Sequence, residues 1–149
     1  MPQPLLLVAY LAVLAAVAVI DVRTLRAPNR IVLPMLGAAL LMSLTLPRPD
    51  THEAVLGALL AFTLLLAVAV AGRGSMGLGD VKYGALCGAA VGLHGVLPML
   101  MFTFVSGGAV ALAVLALRVR ARQDVIAFTP FLFVGVLFSA IWSPSYLVG

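Results

Sequence analysis

The chain has 149 residues, 64% of them hydrophobic and only 9% charged, with a formal net charge of +4. Its mean hydropathy is +1.21. That balance excludes an ordinary soluble domain and implies an integral membrane protein. The positive charge does not imply nucleic acid, because the arginines lie between apolar runs, where membrane topology accounts for them. A spanning helix needs about 20 apolar residues, so the length allows about six spans with short loops. The apolar runs are continuous rather than alternating, which argues against strands. The expected fold is all-α: a polytopic membrane protein with about six transmembrane helices, in a single domain over residues 1–149.

The first apolar run covers residues 4–20 and is interrupted only by Tyr10. No basic residue precedes it, so it does not read as a cleaved signal peptide. Arg23, Arg26 and Arg30 follow it. Basic residues collect on the cytoplasmic side, so the N-terminus is expected outside and the end of this span inside. Asp21 directly follows the run, and Pro28-Asn29 is a turn signal before a second span over about residues 31–46. Residues 47–53 form a short polar loop with helix-breaking prolines. Asp50, His52 and Glu53 read there as solvated groups with no assigned chemistry.

A third span is expected over residues 54–71, followed by Gly72-Arg73-Gly74-Ser75 as a flexible connection. A fourth begins near Val81. Gly84, Gly88 and Gly92 recur at every fourth position, so they share one helix face. Small residues at that spacing let membrane helices pack backbone to backbone. Tight internal packing is preferred here to a dimer face. The apolar region from Tyr83 to Leu117 is too long for one span. A hairpin at His94-Gly95 is expected, because it puts Arg118, Arg120 and Arg122 on the same side as Arg23, Arg26 and Arg30. A fifth span then covers residues 96–117 and a sixth 125–142, with Trp142 and Tyr146 at the far interface. Cys87 is the only cysteine, which excludes an intrachain disulfide and a CxxC zinc site. It reads as a small packing residue.

Chemistry concentrates in Met76-Gly77-Leu78-Gly79-Asp80-Val81-Lys82. A carboxylate stands there between two apolar segments, behind two glycines that let another chain approach. Ionisable groups at such positions are expensive and mark functional sites. Asp21 is expected at the same membrane depth, on the cytoplasmic side. Two carboxylates sharing a site do not both ionise readily, so the pair can hold a single proton. One then takes a proton from water while the other protonates the scissile carbonyl, as in aspartic proteases. For an isolated acid the simpler reading is an interfacial charge, and Asp124 is read that way with Asp50 and Glu53. No His, Cys and carboxylate cluster has ligand spacing, so no metal and no other cofactor is expected.

A resemblance favours chemistry at Asp21 and Asp80. Gly77-Leu78-Gly79-Asp80 with Lys82 resembles the signature of the type IV prepilin peptidases, the GxGD class of membrane aspartic peptidases. Asp21-Val22-Arg23 leading to Pro28-Asn29 is similar to that family's first catalytic acid with its following Pro-Asn. Phe128-Thr129-Pro130-Phe131 is similar to its late Pro-Phe segment. The resemblance implies that Asp21 and Asp80 are the catalytic pair. Gly77, Gly79, Lys82, Pro28, Asn29, Pro130 and Phe131 would shape or bind at the substrate loop. It also implies cleavage of the leader of a prepilin whose apolar helix stays in the bilayer, at the cytoplasmic face of the inner membrane. Larger members carry paired CxxC motifs, which this chain lacks, so it resembles the short form found with tight-adherence (Flp-type) pili. Methyl transfer, the larger members' second activity, is left unassigned, as is the oligomeric state.

Two other classes compete. Paired intramembrane acids also serve small proton- or ion-coupled transporters and channels, though no internal repeat supports that reading. A non-catalytic pilus assembly factor would tolerate loss of either acid. Reporter fusions test the topology. Fusions after Arg26, Gly74 and Arg120 are expected to report cytoplasm, and those after Asp50 and Ser145 the outside. A cytoplasmic signal at Asp50 would separate the two acids.

Overall fold

The structure, a computed structural model, describes residues 3–24, 29–44, 49–73, 76–117 and 128–142. Among the described residues there are five helices and no strand: α1 (Gln3–Thr24), α2 (Asn29–Ser43), α3 (Thr51–Ala71), α4 (Leu78–Ala116) and α5 (Thr129–Trp142). Apolar segments adopt helices because a helix satisfies its own backbone without water. Polar residues set the ends. Asp50 caps α3, its side chain accepting the Glu53 N–H at 2.8 Å. Pro130 sits in the first turn of α5, where a missing N–H costs nothing.

Helix α4 is not one rod. Gly92 has φ +69° and ψ 175°, a conformation that only glycine adopts without strain, and it divides α4 into residues 78–91 and 93–116. The neighbours of each arm show that the chain reverses there. Along the first arm, Gly92 meets Pro49 and Glu53 at the start of α3, while Gly84 meets Leu65 farther along it. The second arm runs antiparallel to α5. The Ser139 hydroxyl donates to the Gly95 carbonyl at 3.1 Å, Phe102 stacks on Phe138 at 4.7 Å, and Gly107 faces Phe128 and Phe131. Thr129 is hydrogen-bonded to Asp80, so residue 107 has returned to the level at which the first arm began.

The break therefore falls at Gly92 and not at the expected His94-Gly95, both of which are helical. His94 has a different role: its Nδ1 lies 3.6 Å from Glu53 Oε1. Both side chains are partly exposed at this end of the bundle.

Small residues bring the helices together. Gly57 of α3 and Gly88 of α4 face each other so closely that a Cβ on either would overlap the other's carbonyl oxygen. Gly135 of α5 likewise lies on the Met99 carbonyl and the Thr103 hydroxyl. Gly84, Gly88 and Gly92 all point into the molecule, so the repeated glycines serve internal packing. Leu14, Val32, Leu65, Tyr83, Met99 and Leu132 are fully buried between the helices, and Cys87 packs among them. Leu41, Leu97, Leu112 and Ile141 face outward. An apolar exterior is unlike that of a soluble protein. Two helices, Thr51–Ala71 and Leu78–Ala116, are long and apolar enough to cross a membrane. These features, with the composition, point to a membrane protein.

Packing of this kind has a direct test in thermal unfolding of the purified protein in detergent. Gly88→Val forces a side chain into the Gly57 backbone and is expected to destabilise by about 1–3 kcal/mol. Gly108 has nothing within 4 Å of a built Cβ. Gly108→Ala is therefore expected to leave the unfolding temperature unchanged or raise it slightly. Equal effects at the two positions would contradict the close backbone approach.

Candidate active site

The two acids reach the same place from helix ends of opposite polarity. Asp80 lies in the first turn of α4, behind Gly77, which caps that helix; its N–H bonds to the Gly77 carbonyl at 3.1 Å. A carboxylate there faces the positive end of the helix dipole. Asp21 lies in the last turn of α1, where free carbonyls disfavour negative charge. It is only 2% exposed, so it needs a donor from elsewhere.

That donor is Thr129, the first residue of α5. Its Oγ1 lies 2.5 Å from Asp21 Oδ2 and 2.9 Å from Asp80 Oδ1. One buried hydroxyl therefore touches both carboxylates. Among the described residues no buried side-chain polar atom lacks a hydrogen-bond partner.

Two tyrosines set the register that brings the acids together. The Tyr10 hydroxyl of α1 donates to the Leu86 carbonyl of α4 at 2.8 Å, and the Tyr83 hydroxyl of α4 donates to the Leu14 carbonyl of α1 at 2.8 Å. A hydroxyl in an apolar interior must find an acceptor, so this exchange fixes how α1 lies on the first arm of α4.

Beside the pair, α1 and α5 leave an apolar groove of about 230 Å³, lined by Ala15, Ala18, Val19, Pro130, Phe133 and Val134. Ala18 is about one turn from Asp21, and Pro130 follows Thr129 in sequence, so the groove lies near the carboxylates without being lined by them.

The other residues singled out in the sequence divide. A Cβ on Gly77 would lie 3.7 Å from Asp80 Oδ2, so this glycine leaves open space beside the carboxylate. Gly79 and Lys82 lie in the first turns of α4, both half-buried. Pro130 lines the groove. Phe131 packs toward Phe128 and Gly107 of the second arm. Asn29 opens α2. Pro28 and the Asn29 side chain lie outside the described residues. In the sequence Thr129 is marked only by the segment Phe128-Thr129-Pro130-Phe131. The signal that could have found it is a hydroxyl residue held next to a helix-starting proline within an apolar stretch. Among the described residues no three His, Cys, Asp or Glu side chains come together as a metal site.

Residues 8–112, which include both acids, match the family model described as the type IV leader peptidase family. The chain belongs to the type IV leader peptidase family. It is 31% identical over 144 residues to a Bacillus subtilis protein named prepilin leader peptidase/N-methyltransferase, covering 94% of this chain and 56% of that protein. It is 32% identical over 131 residues to a protein of the same name from Escherichia coli, covering 85% and 58%. A third, from Pectobacterium carotovorum, is 31% identical over 142 residues, covering 92% and 50%. The chain spans about half the length of these curated relatives. No solved structure matches it.

Proposed function

We propose that this protein is a membrane-embedded aspartic endopeptidase that removes the leader peptide of type IV prepilins, of the Flp type, at the cytoplasmic face of the inner membrane. The observation that carries this reading is the cluster of Asp21, Thr129 and Asp80, two carboxylates on one hydroxyl at one end of a helix bundle. Membership of the leader peptidase family supports it, as do the names of the relatives.

The chemistry follows from the pair. The ionised carboxylate takes a proton from a water molecule, whose oxygen attacks the scissile carbonyl carbon. The protonated carboxyl gives its proton to the carbonyl oxygen, and a tetrahedral diol forms. In the second half, the proton taken from water passes to the leaving nitrogen. The diol returns a proton to the other acid as the C–N bond breaks. Asp21 and Asp80 alternate as acid and base, with no metal and no covalent intermediate.

The surrounding residues take supporting roles. Space at Gly77 admits a substrate backbone beside Asp80, and Gly79 and Lys82 shape the same loop. Pro28 and Asn29 belong to the turn that follows Asp21. An apolar substrate segment lying along the groove by Pro130 would bring the bond at its end to the acids. In this reading the two arms of α4, with α1, α2, α3 and α5, are the six spans. The distribution of Lys and Arg supports a membrane orientation with the N-terminus outside and both acids at the cytoplasmic ends of their helices.

Co-expression with a candidate prepilin tests this reading, with leader removal scored by gel mobility. The wild-type protein is expected to cleave, with or without EDTA. Asp21→Asn and Asp80→Asn are each expected to lose about 10⁴-fold or more of the activity while still inserting. Glu53→Gln, at the opposite end of the bundle, should cleave normally. Substantial cleavage by either Asn variant, or an EDTA-sensitive activity restored by zinc, would overturn the mechanism.

A further inference from the structure

We infer that Thr129 is a positioning residue that holds the Asp21–Asp80 pair in its single-proton form. The inference rests on the peptidase reading above and adds a third side chain to that site.

A hydroxyl carries one hydrogen and two lone pairs. Oγ1 of Thr129 stands within hydrogen-bond distance of both carboxyl groups, at 2.5 and 2.9 Å. It can donate to only one of them. With both acids ionised, the second contact would set an oxygen lone pair against a carboxylate oxygen in a buried site, which is repulsive. With one proton on the pair, each contact becomes a hydrogen bond. The protonated carboxyl donates to Oγ1, and the Thr129 hydroxyl donates to the carboxylate. The second bond is charge-assisted and is the stronger kind. The bridge is therefore most stable in the protonation state that hydrolysis requires.

For the transfer itself the carboxyl proton turns from Oγ1 to the substrate carbonyl, while the Thr129 hydroxyl keeps its bond to the carboxylate; the bridge then forms again. When the carboxylate takes the water proton and the carboxyl yields its own to the carbonyl oxygen, the pair still holds one proton, now on the other acid. The hydroxyl turns its hydrogen around and makes the same two bonds in reverse. No proton is gained or lost by Thr129 over the cycle.

Its placement suits this task. Thr129 is fully buried at the start of α5, and Pro130 follows it in the first turn. The N-terminal end of that helix adds a favourable field for the negative charge on the pair.

Steady-state cleavage of a prepilin substrate by purified protein separates this role from a merely structural one. Thr129→Val keeps the shape and removes the hydroxyl. Its kcat is expected to fall by about tenfold to a hundredfold, the range for losing a hydrogen bond to a charged group, with KM nearly unchanged. Thr129→Ser keeps the hydroxyl and should restore most of kcat. Thermal unfolding checks that the variants are folded. If Thr129→Val is unstable, Thr129→Ala is expected to show the same loss of kcat. Undiminished kcat in the hydroxyl-free variant overturns the inference, as does a Thr129→Ser protein as impaired as Thr129→Val. A wild-type protein that cleaves nothing overturns the peptidase reading and this inference with it. An active wild type with an unimpaired Thr129→Val overturns this inference alone.

Discussion

Two carboxylates brought together at a partly buried helix end repel each other unless a proton or a donor lies between them, and the arrangement depends on the hydroxyl that fills that place. Thr129 touches Asp21 and Asp80 at once, and each of the three residues comes from a different helix end. The free carbonyls at the C-terminal end of α1 disfavour charge on Asp21, and Thr129 ties the acid to the start of α5. Asp80 has the field of the α4 N-terminus in addition to its bond from Thr129. Small errors would undo the contact. An α-helix turns by about 100° per residue, so a slip of one residue between α1 and α4 would swing Asp21 off the site. The reciprocal tyrosine bonds, Tyr10 to Leu86 and Tyr83 to Leu14, resist that slip.

The reversal at Gly92 is the second requirement. Because the chain turns back there, the second arm of α4 returns past the level of Asp80, and α5 can begin beside both acids. A straight α4 would carry α5 to the opposite end of the bundle and leave Asp21 without its donor. The glycine contacts on either side of the turn, Gly57 with Gly88 and Gly135 with Met99, hold the arms against α3 and α5. The packing glycines and the acids thus belong to one structural device, although they are distant from one another in sequence.

Much of this was legible in the residues. The apolar content implied helices in a membrane, and the four-residue glycine spacing implied close internal packing. Asp21 and Asp80 stood out because acids beside apolar runs are costly. Other features left little trace. Hydropathy and charge placed the reversal near His94, since they register polarity and not backbone torsion. Gly92 carries the turn through a φ that no composition reveals. The approach of His94 to Glu53 left no trace, because the two are remote in sequence. Thr129 was hidden for a related reason. A threonine is unremarkable on its own, and its importance comes from two acids that only the fold brings to it.

The central claim is that Asp21 and Asp80 act as one chemical unit. Single-turnover cleavage rates of purified wild-type protein, Asp21→Asn, Asp80→Asn and the double variant test it most directly. Two members of a single acid–base machine fail together, so the double variant is predicted to be no slower than the slower single variant. Losses that multiply in the double variant would mean that the two acids contribute independently, and would contradict the account.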